Sequence, residues 1–280
     1  MTASTLPPSG AAAGAAAAPA QTSVRPSAVF LALLRRDLRV ARRELPFFLL
    51  RTALQPLLFI IVFGYLLPRM GFMQGGYATT LLPGILAVSL TLSSVQSVAL
   101  PLVQDFGWSN EIEDRLLAPV STRLVAVEKV CAGALQGVVS ALFVLPVARL
   151  IMGPVAGLTL AHGAMVLVVT VLGAVAFSAL GLLLGTAISP QQIGLMFSVI
   201  VSPMIFFGCT YYPWQALAVL PVLKYLVLLN PLVYVAEGMR AVLTPGVPHM
   251  HLAAVTGALG ALSAAALALG LRSFERRAVG

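Results

Sequence analysis

The stretch 162-HGAMVLVVTVLGAVAFSALGLLLGTAI-188 contains no Asp, Glu, Lys or Arg. The hydrocarbon core of a bilayer is roughly 30 Å thick, and a helix needs about 20 apolar residues to cross it. This stretch is long enough, so it predicts a membrane-spanning helix. A helix satisfies its own backbone hydrogen bonds in hydrocarbon, and no alternating ten-residue pattern in the chain suggests a barrel.

Further apolar stretches fill most of the chain after about residue 50. Hydrophobic residues make up 59% of the composition and charged residues 9%, which is the balance of a polytopic membrane protein. We therefore predict an all-α polytopic membrane protein with six transmembrane helices. The expected spans are Thr52–Leu67, Leu81–Val103, Val130–Met152, His162–Ile188, Ile193–Cys209 and Leu252–Leu271. The expected domains are a disordered cytoplasmic tail (1–27), an amphipathic interfacial helix (28–46) and a six-span transmembrane domain (47–280).

The distribution of basic residues predicts the orientation of the chain. If there are six spans, 13 of the 17 Lys and Arg residues fall on one side of the membrane. The other side receives Arg69, Arg149, Lys224 and Arg240. Lys and Arg accumulate in cytoplasmic loops, so we expect both termini in the cytoplasm and the protein in the plasma membrane. The net charge of +8 then reflects topology and attraction to anionic lipid, and binding of nucleic acid is not expected.

Residues 30–45 show the periodicity of an amphipathic helix. At 100° per residue, one arc holds Phe30, Leu34, Leu38, Ala41 and Leu45. The opposite arc holds Arg35, Arg36, Arg39, Arg42 and Arg43. Such a helix is expected to lie flat at the inner leaflet with its arginines towards the lipid headgroups. Two interpretations stay open: an anchor that sets topology, or an arm that also contacts a cytoplasmic partner.

The segment 104-QDFGWSNEIEDRLLAPVSTRLVAV-127 is the densest charge cluster in the chain. Its acidic residues Glu111, Glu113 and Asp114 suit the positive first turn of a short helix. Such a helical loop is more elaborate than a simple connection requires. The alternative is a solvated acidic loop with no binding role.

Residues 210–250 are apolar but repeatedly interrupted. The interruptions are Pro213, Pro221, Pro231 and Pro245. Because proline ends or kinks a helix, we expect a re-entrant outer hairpin of short helices before the last span. Four aromatic residues of this region, Tyr211, Tyr212, Trp214 and Tyr225, are expected to form a cluster at the membrane–water boundary.

Several kinds of chemistry are missing from the sequence. Neither lysine, Lys129 or Lys224, lies in a GxxxxGK[ST] pattern, and HExxH and GxSxG are absent. The spans carry almost no ionisable side chains, which argues against a proton- or sodium-coupled pump. The sequence therefore predicts a non-enzymatic chain with no cofactor and no metal site. Energy is expected from another subunit, unless the protein is a passive or structural element.

The second span carries polar residues on one side of the helix. They are Ser89, Ser93, Gln96 and Ser97. Polar groups inside a bilayer face protein or a cavity, so they either form hydrogen bonds between helices or line a pore. Two glycine pairs, Gly133/Gly137 and Gly181/Gly185, have the spacing of closely packed helices.

Two stretches resemble a known family. The segment 111-EIEDRLLAPVSTRLVAVEK-129 is similar to the acidic, Leu, Pro, Ser pattern ahead of the third span in permease subunits of type-2 ATP-binding-cassette exporters. The segment 230-NPLVYVAEGMR-240 is similar to the end of that family's re-entrant hairpin. The layout resembles the family over about residues 28–275, and within it the daunorubicin-resistance and nodulation-factor export permeases.

The resemblance implies a permease that pairs with a second copy or a paralogue and docks on separate ATP-binding-cassette ATPase subunits. Carried over to this sequence, the ATPase-coupling loop would comprise Glu111, Glu113, Asp114 and Arg115. The outer hairpin would gate the exit with Asn230, Pro231, Tyr234, Glu237 and Arg240. The charge-poor spans suit export of an amphiphilic or hydrophobic substrate such as a drug, lipid or glycolipid. A membrane scaffold without transport activity is the alternative.

Overall fold

The computed structural model describes residues 26–43, 45–72, 76–106 and 121–279. Over these ranges the chain is built from helices and turns and contains no strand. The helices are α1 (Pro26–Arg43), α2 (Leu45–Arg69), α3 (Tyr77–Gln104), α4 (Thr122–Met152), α5 (Gly163–Ala187), α6 (Pro190–Phe206), α7 (Pro221–Leu229), α8 (Pro231–Leu243) and α9 (Leu252–Val279). A 3₁₀ turn, Trp214–Val219, precedes α7.

The predicted all-helical class is confirmed, and five helices are long and apolar enough to cross a membrane: α2, α3, α4, α5 and α9. The remaining predicted span, Ile193–Cys209, falls on α6. At a rise of 1.5 Å for each residue, α6 is about 25 Å long, which is short for the bilayer core. The helices α7 and α8 reach spanning length only together, and they are bent by 99° at their junction. The count of six spans therefore stays a prediction.

Helix α3 is the centre of the bundle. In the most apolar stretch of α3, 78% of the residues are buried, whereas the buried share of the corresponding stretch is 19% in α2 and 17% in α9. The predicted glycine pairs account for this, because both pack on α3, one from α4 and one from α5. A Cβ added at Gly137 would lie 2.0 Å from Ser94 Oγ, and one at Gly185 would lie 2.9 Å from Ala99 Cα. The close packing expected from the glycine spacing is confirmed.

Side-chain contacts fix which helix ends lie together. Lys129 Nζ, near the start of α4, donates to Asp37 Oδ2 of α1 at 2.6 Å, and Arg123 of α4 pairs with Glu275 near the end of α9. The start of α4 thus meets both α1 and the last turns of α9, and we refer to this part of the molecule as the basic end. The opposite part, with α7 and α8, is the hairpin end. The assignment of the basic end to the cytoplasm stays a prediction from charge.

Helix α6 runs between these two ends. At its start, Arg277 of α9 donates to the carbonyl of Ile188 at 3.2 Å. After its end, Arg240 of α8 donates to the carbonyl of Cys209 at 3.0 Å. Its centre, Met196–Val201, is a π-helix, a wider form often found at functional sites.

Two predicted segments fall largely outside the described residues. The coupling-loop residues Glu111, Glu113, Asp114 and Arg115 are among them, as are residues 1–25 of the predicted tail. Helix α1 begins at Pro26, slightly before the predicted start of the amphipathic helix, and proline is well suited to the first turn of a helix.

Candidate functional site

Helix α1 packs on the bundle with the predicted apolar arc inwards. Phe30, Leu34, Leu38 and Ala41 are half-buried. The five arginines of the opposite arc are all exposed: Arg35, Arg36, Arg39, Arg42 and Arg43. The structure therefore shows an amphipathic arrangement for α1, and its place at a membrane surface stays a prediction.

An ion pair attaches α1 to α4. Asp37 lies on the half-buried side of α1, and its side chain is only 18% exposed; that of Lys129 is 10% exposed. Charges shielded from water interact more strongly than those on an open surface. The sequence offered a signal for this contact that the pattern of arginines obscured: Asp37 is the only acidic residue of α1 and falls within the apolar arc.

A cleft of about 400 Å³ opens at the basic end between α1, α3 and α4. Its charged wall includes Arg36, Asp37 and Lys129. Phe48 and Leu100 add apolar surface. A cleft that combines charged and apolar walls can bind a molecule with a polar head and an apolar body.

The predicted polar stripe of α3 comprises Ser89, Ser93, Gln96 and Ser97. Its first two residues contact α4, and its last two line this cleft. Ser89 Oγ and Ser140 Oγ share a hydrogen bond of 2.8 Å, and both residues are fully buried. Ser93, also buried, donates to the carbonyl of Gln136 at 3.2 Å. Gln96 and Ser97 are half-buried and line the cleft. In the single chain, only this second half of the stripe faces open space.

At the hairpin end, Glu237 and Arg240 of α8 form an ion pair with neither side chain exposed. The two Glu237 oxygens also accept hydrogen bonds of 2.8 Å from the backbone N–H groups of Trp214 and Met250. A buried charge is tolerated only when it is paired and hydrogen-bonded. Glu237 therefore holds the 3₁₀ turn and the segment before α9 against α8.

Arg240 extends this network to the turn after α6 and to α3. Its Nη2 donates to the carbonyl of Cys209 at 3.0 Å and approaches that of Thr80, in α3, at 3.4 Å. Cys209 has a φ of +52°, which is uncommon for a residue with a side chain. A Cβ at Gly84 of α3 would lie 1.8 Å from the Thr210 carbonyl oxygen, so this turn packs directly on the α3 backbone. We refer to Glu237, Arg240 and their four backbone partners as the hairpin hub.

The other predicted hairpin residues shape the start of α8. Asn230 Oδ1 caps the helix by accepting from the Leu232 N–H at 3.0 Å, and its Nδ2 donates to the Met204 carbonyl of α6 at 2.7 Å. Pro231 occupies the first helical position, where its missing N–H costs nothing. Tyr234 donates to the Leu228 carbonyl at 2.9 Å. Together these contacts set the sharp corner between α7 and α8.

Comparison with known proteins agrees with this architecture. A model of the ABC-2 type transporter family matches residues 28–244, from α1 to the end of α8. The chain belongs to the ABC-2 type transporter family. It is 31% identical over 188 residues to the inner membrane transport permease YadH of Escherichia coli K12, which covers 65% of this chain and 70% of that relative. The same identity and coverage apply to YadH of Shigella flexneri.

Family membership and the apolar helices establish a multi-pass membrane protein and the membrane subunit of a transporter, and they support a location in the plasma membrane. The resemblance expected to reach residue 275 is confirmed as far as residue 244. Within the part of this ABC-2 chain that the structure describes, no group of three or more His, Cys, Asp or Glu residues is placed to hold a metal ion.

The predicted aromatic cluster of the hairpin end does not form as one unit. Tyr211 packs on Phe59 of α2, with ring centroids 5.2 Å apart. Trp214 instead donates its ring N–H to the Lys224 carbonyl at 2.9 Å, and Tyr225 is 67% exposed. Tyr211, Trp214 and Tyr225 therefore differ in partners and exposure, and their place at the membrane–water boundary stays a prediction.

Proposed function

We propose that this chain is the permease subunit of an ATP-binding-cassette exporter that moves an amphiphilic or hydrophobic substrate out of the cytoplasm. The observation that carries the proposal is the cleft at the basic end of an ABC-2 family member. Its charged residues Arg36, Asp37 and Lys129 suit a polar head, and Phe48 and Leu100 suit an apolar body. The resemblance to daunorubicin-resistance and nodulation-factor export permeases makes drugs, lipids and glycolipids the substrates to test.

The proposed orientation of the chain follows from charge. The exposed arginines of α1 and the basic residues at the start of α4 and the end of α9 favour the cytoplasmic side for the basic end. With this orientation, both termini are cytoplasmic and the cleft opens towards the cytoplasm and the inner leaflet. The hairpin end then forms the outer exit.

A separate ATPase would supply the energy through the charged loop. Glu111, Glu113, Asp114 and Arg115 would contact that subunit, since a charged, solvent-facing patch suits a separable protein interface. The loop joins the end of α3 to the start of α4, and both helices line the cleft. Movement of the loop would therefore move two of the three cleft walls, and the Asp37–Lys129 pair would carry α1 with them.

The passage itself would form between two permease chains, either identical copies or paralogues. The packing of α3 supports this, because α4 and α5 approach it too closely to leave a continuous passage along α3 within one chain. The hairpin hub would keep α8, the 3₁₀ turn and the segment before α9 together. The outer hairpin would then open and close as one rigid unit.

Reconstituted vesicles that contain the permease and its ATPase provide the direct test. We expect ATP-dependent movement of at least one labelled drug, lipid or glycolipid, and ATP hydrolysis that the permease stimulates. The triple variant E111K/E113K/D114K should lose both co-purification with the ATPase and transport, because it reverses the docking charge.

The isosteric variant E111Q/E113Q/D114N is the matched control for size, and its effects should be weaker. Unchanged association and transport in the charge-reversed variant would remove the docking assignment. If the permease does not stimulate ATP hydrolysis and no substrate in the panel moves, the result would favour a membrane scaffold without transport activity.

A further inference from the structure

The basic end contains a second cleft, which shares no lining residue with the first. It lies between the last turns of α5 and α9 and has a volume of about 590 Å³. Three arginines of α9 form its rim, Arg272, Arg276 and Arg277. Its floor is apolar, with Leu183 from α5 and Leu269 from α9.

Arg277 is fixed in place before any ligand binds. Its Nη1 donates to the carbonyls of Thr186 and Ile188, at 2.5 and 3.2 Å, and its guanidinium lies 4.8 Å from the centre of the Phe106 ring. The carbonyls at the end of a helix carry partial negative charge. Because Arg277 satisfies two of them at the end of α5, this helix terminus does not repel an anion in the cleft.

Arg272 and Arg276 supply positive charge that the described residues do not neutralise. Both side chains belong to exposed residues, and neither forms an ion pair within the described ranges. The nearby acid, Glu275, pairs with Arg123 of α4. The rim therefore offers two guanidinium groups to an external anion, and such groups bind phosphate oxygens in pairs.

The position of the cleft along α9 matches the depth of a lipid headgroup. The helix has 28 residues and a length of about 42 Å, more than the roughly 30 Å of the hydrocarbon core. Its last turns therefore extend into the headgroup region. Leu269 is 52% exposed and lies about one turn before the arginines, so acyl chains have direct access to the floor.

We propose that this cleft binds an anionic phospholipid. Its phosphate would contact Arg272 and Arg276 beside the fixed Arg277, and an acyl chain would lie along Leu183 and Leu269. A basic pocket between membrane helices is a recurring form of lipid site. A soluble protein partner fits less well, because the lining residue Leu269 is exposed on α9, and only 17% of the most apolar stretch of that helix is buried. The site does not depend on the proposed substrate or on the coupling loop.

The test counts bound lipids on the purified full-length permease by native mass spectrometry. Palmitoyl-oleoyl-phosphatidylglycerol is added as the anionic probe and the matching phosphatidylcholine as the neutral one. We expect phosphatidylglycerol to bind more tightly, and R272Q/R276Q to lower its apparent affinity about tenfold, since each basic side chain contributes several-fold. The control R69Q/R149Q removes the same charge from exposed positions at the hairpin end and should bind as the unmodified protein does.

Three results would overturn the proposal. Equal losses in both double variants would mean a general effect of net charge. Displacement of the lipid by millimolar inorganic phosphate would mean a phosphate site without a lipid requirement. Unchanged lipid binding by R272Q/R276Q would exclude this cleft as the lipid site. If the same variant also lost co-purification with the ATPase, the cleft would be a protein-docking surface instead. If R272Q/R276Q does not fold, R272K/R276K keeps the charge and should show a smaller loss of affinity.

Discussion

Glu237 and Arg240 show how two adjacent turns of one short helix can organise a whole end of the molecule. Both side chains are fully buried, and their partners are backbone groups from four other segments. Removal of one member would leave the other charge buried and unpaired. In general that costs about 3–5 kcal/mol, whereas replacement of both members by apolar residues is far less damaging.

We therefore expect E237Q to lower the thermal stability of the purified permease strongly. The matched control is R123Q, which breaks an ion pair whose arginine side chain is 70% exposed. It should change the melting temperature much less, because exposed ion pairs contribute little. A thermal-shift assay in detergent measures both. Similar small shifts in the two variants would contradict the central role of the hub.

The double variant E237L/R240L separates the ion pair from its backbone partners. Its destabilisation should be smaller than the sum of those of E237L and R240L, because the second substitution removes the unpaired charge that the first creates. It should still be less stable than the unmodified protein, since Trp214 and Met250 lose their hydrogen-bond acceptor. Strict additivity in this cycle would mean that the two charges do not interact.

Only part of these residue contacts could be predicted from sequence. The spacing of Glu237 and Arg240 indicates a pair, because residues three apart share a helix face. Their backbone partners carry no sequence signal, since any residue provides a carbonyl or an N–H. The Asp37–Lys129 pair is similarly difficult to predict, because 92 positions separate the two residues and only the packing of α1 on α4 brings them together.

At the scale of elements, apolar length and periodicity were sufficient to predict five helices long and apolar enough to span a membrane and the arc of α1, which are local features. The spacing of the glycines was sufficient to predict that they pack closely on another helix. Apolar length and periodicity were less successful for α6. The predicted span continues to Cys209, but the helix ends at Phe206 because the chain turns there into the left-handed conformation of Cys209. That turn is stabilised by Arg240, a contact that hydropathy does not record.

The packing of α3 predicts different effects for two glycines in spanning helices. G137A should destabilise the bundle by about 1–3 kcal/mol, the usual cost of overpacking, because its Cβ would meet Ser94 Oγ. G257A in α9 has open space around the new Cβ and should be neutral or slightly stabilising, since alanine is the better helix former. Unfolding in mixed detergent compares the two. Equal effects would mean that helix propensity, and not contact with α3, decides.

The attachment of α1 gives another prediction at this scale. D37N removes the partner of Lys129 and should loosen α1, so trypsin should cleave at its arginines several-fold faster. R39K is the control, because it keeps a trypsin site and Arg39 is exposed on the opposite arc and forms no ion pair within the described ranges. Cleavage is followed by mass spectrometry of the native protein. Equal rates in D37N and the unmodified protein would show that apolar packing alone holds α1.

For the whole molecule, we predict six crossings with both termini on one side of the membrane. The test uses single cysteines in a C131A background, where the remaining Cys209 is buried. New cysteines report on the two ends of the bundle. Two replace exposed residues, Gln191 in the first turn of α6 and Ala216 beyond its end. The other two replace Ser121 and Ala278. In the proposed orientation the hairpin end faces outwards, so a membrane-impermeant maleimide should label A216C on intact spheroplasts. In the same orientation the basic end is cytoplasmic, so the reagent should label Q191C, S121C and A278C only after permeabilisation. Labelling of Q191C and A216C from the same side would mean that α6 does not cross the membrane. Labelling of S121C and A278C from opposite sides would mean that α1, the charged loop and the end of α9 do not share one side, and the coupling proposal depends on that common location.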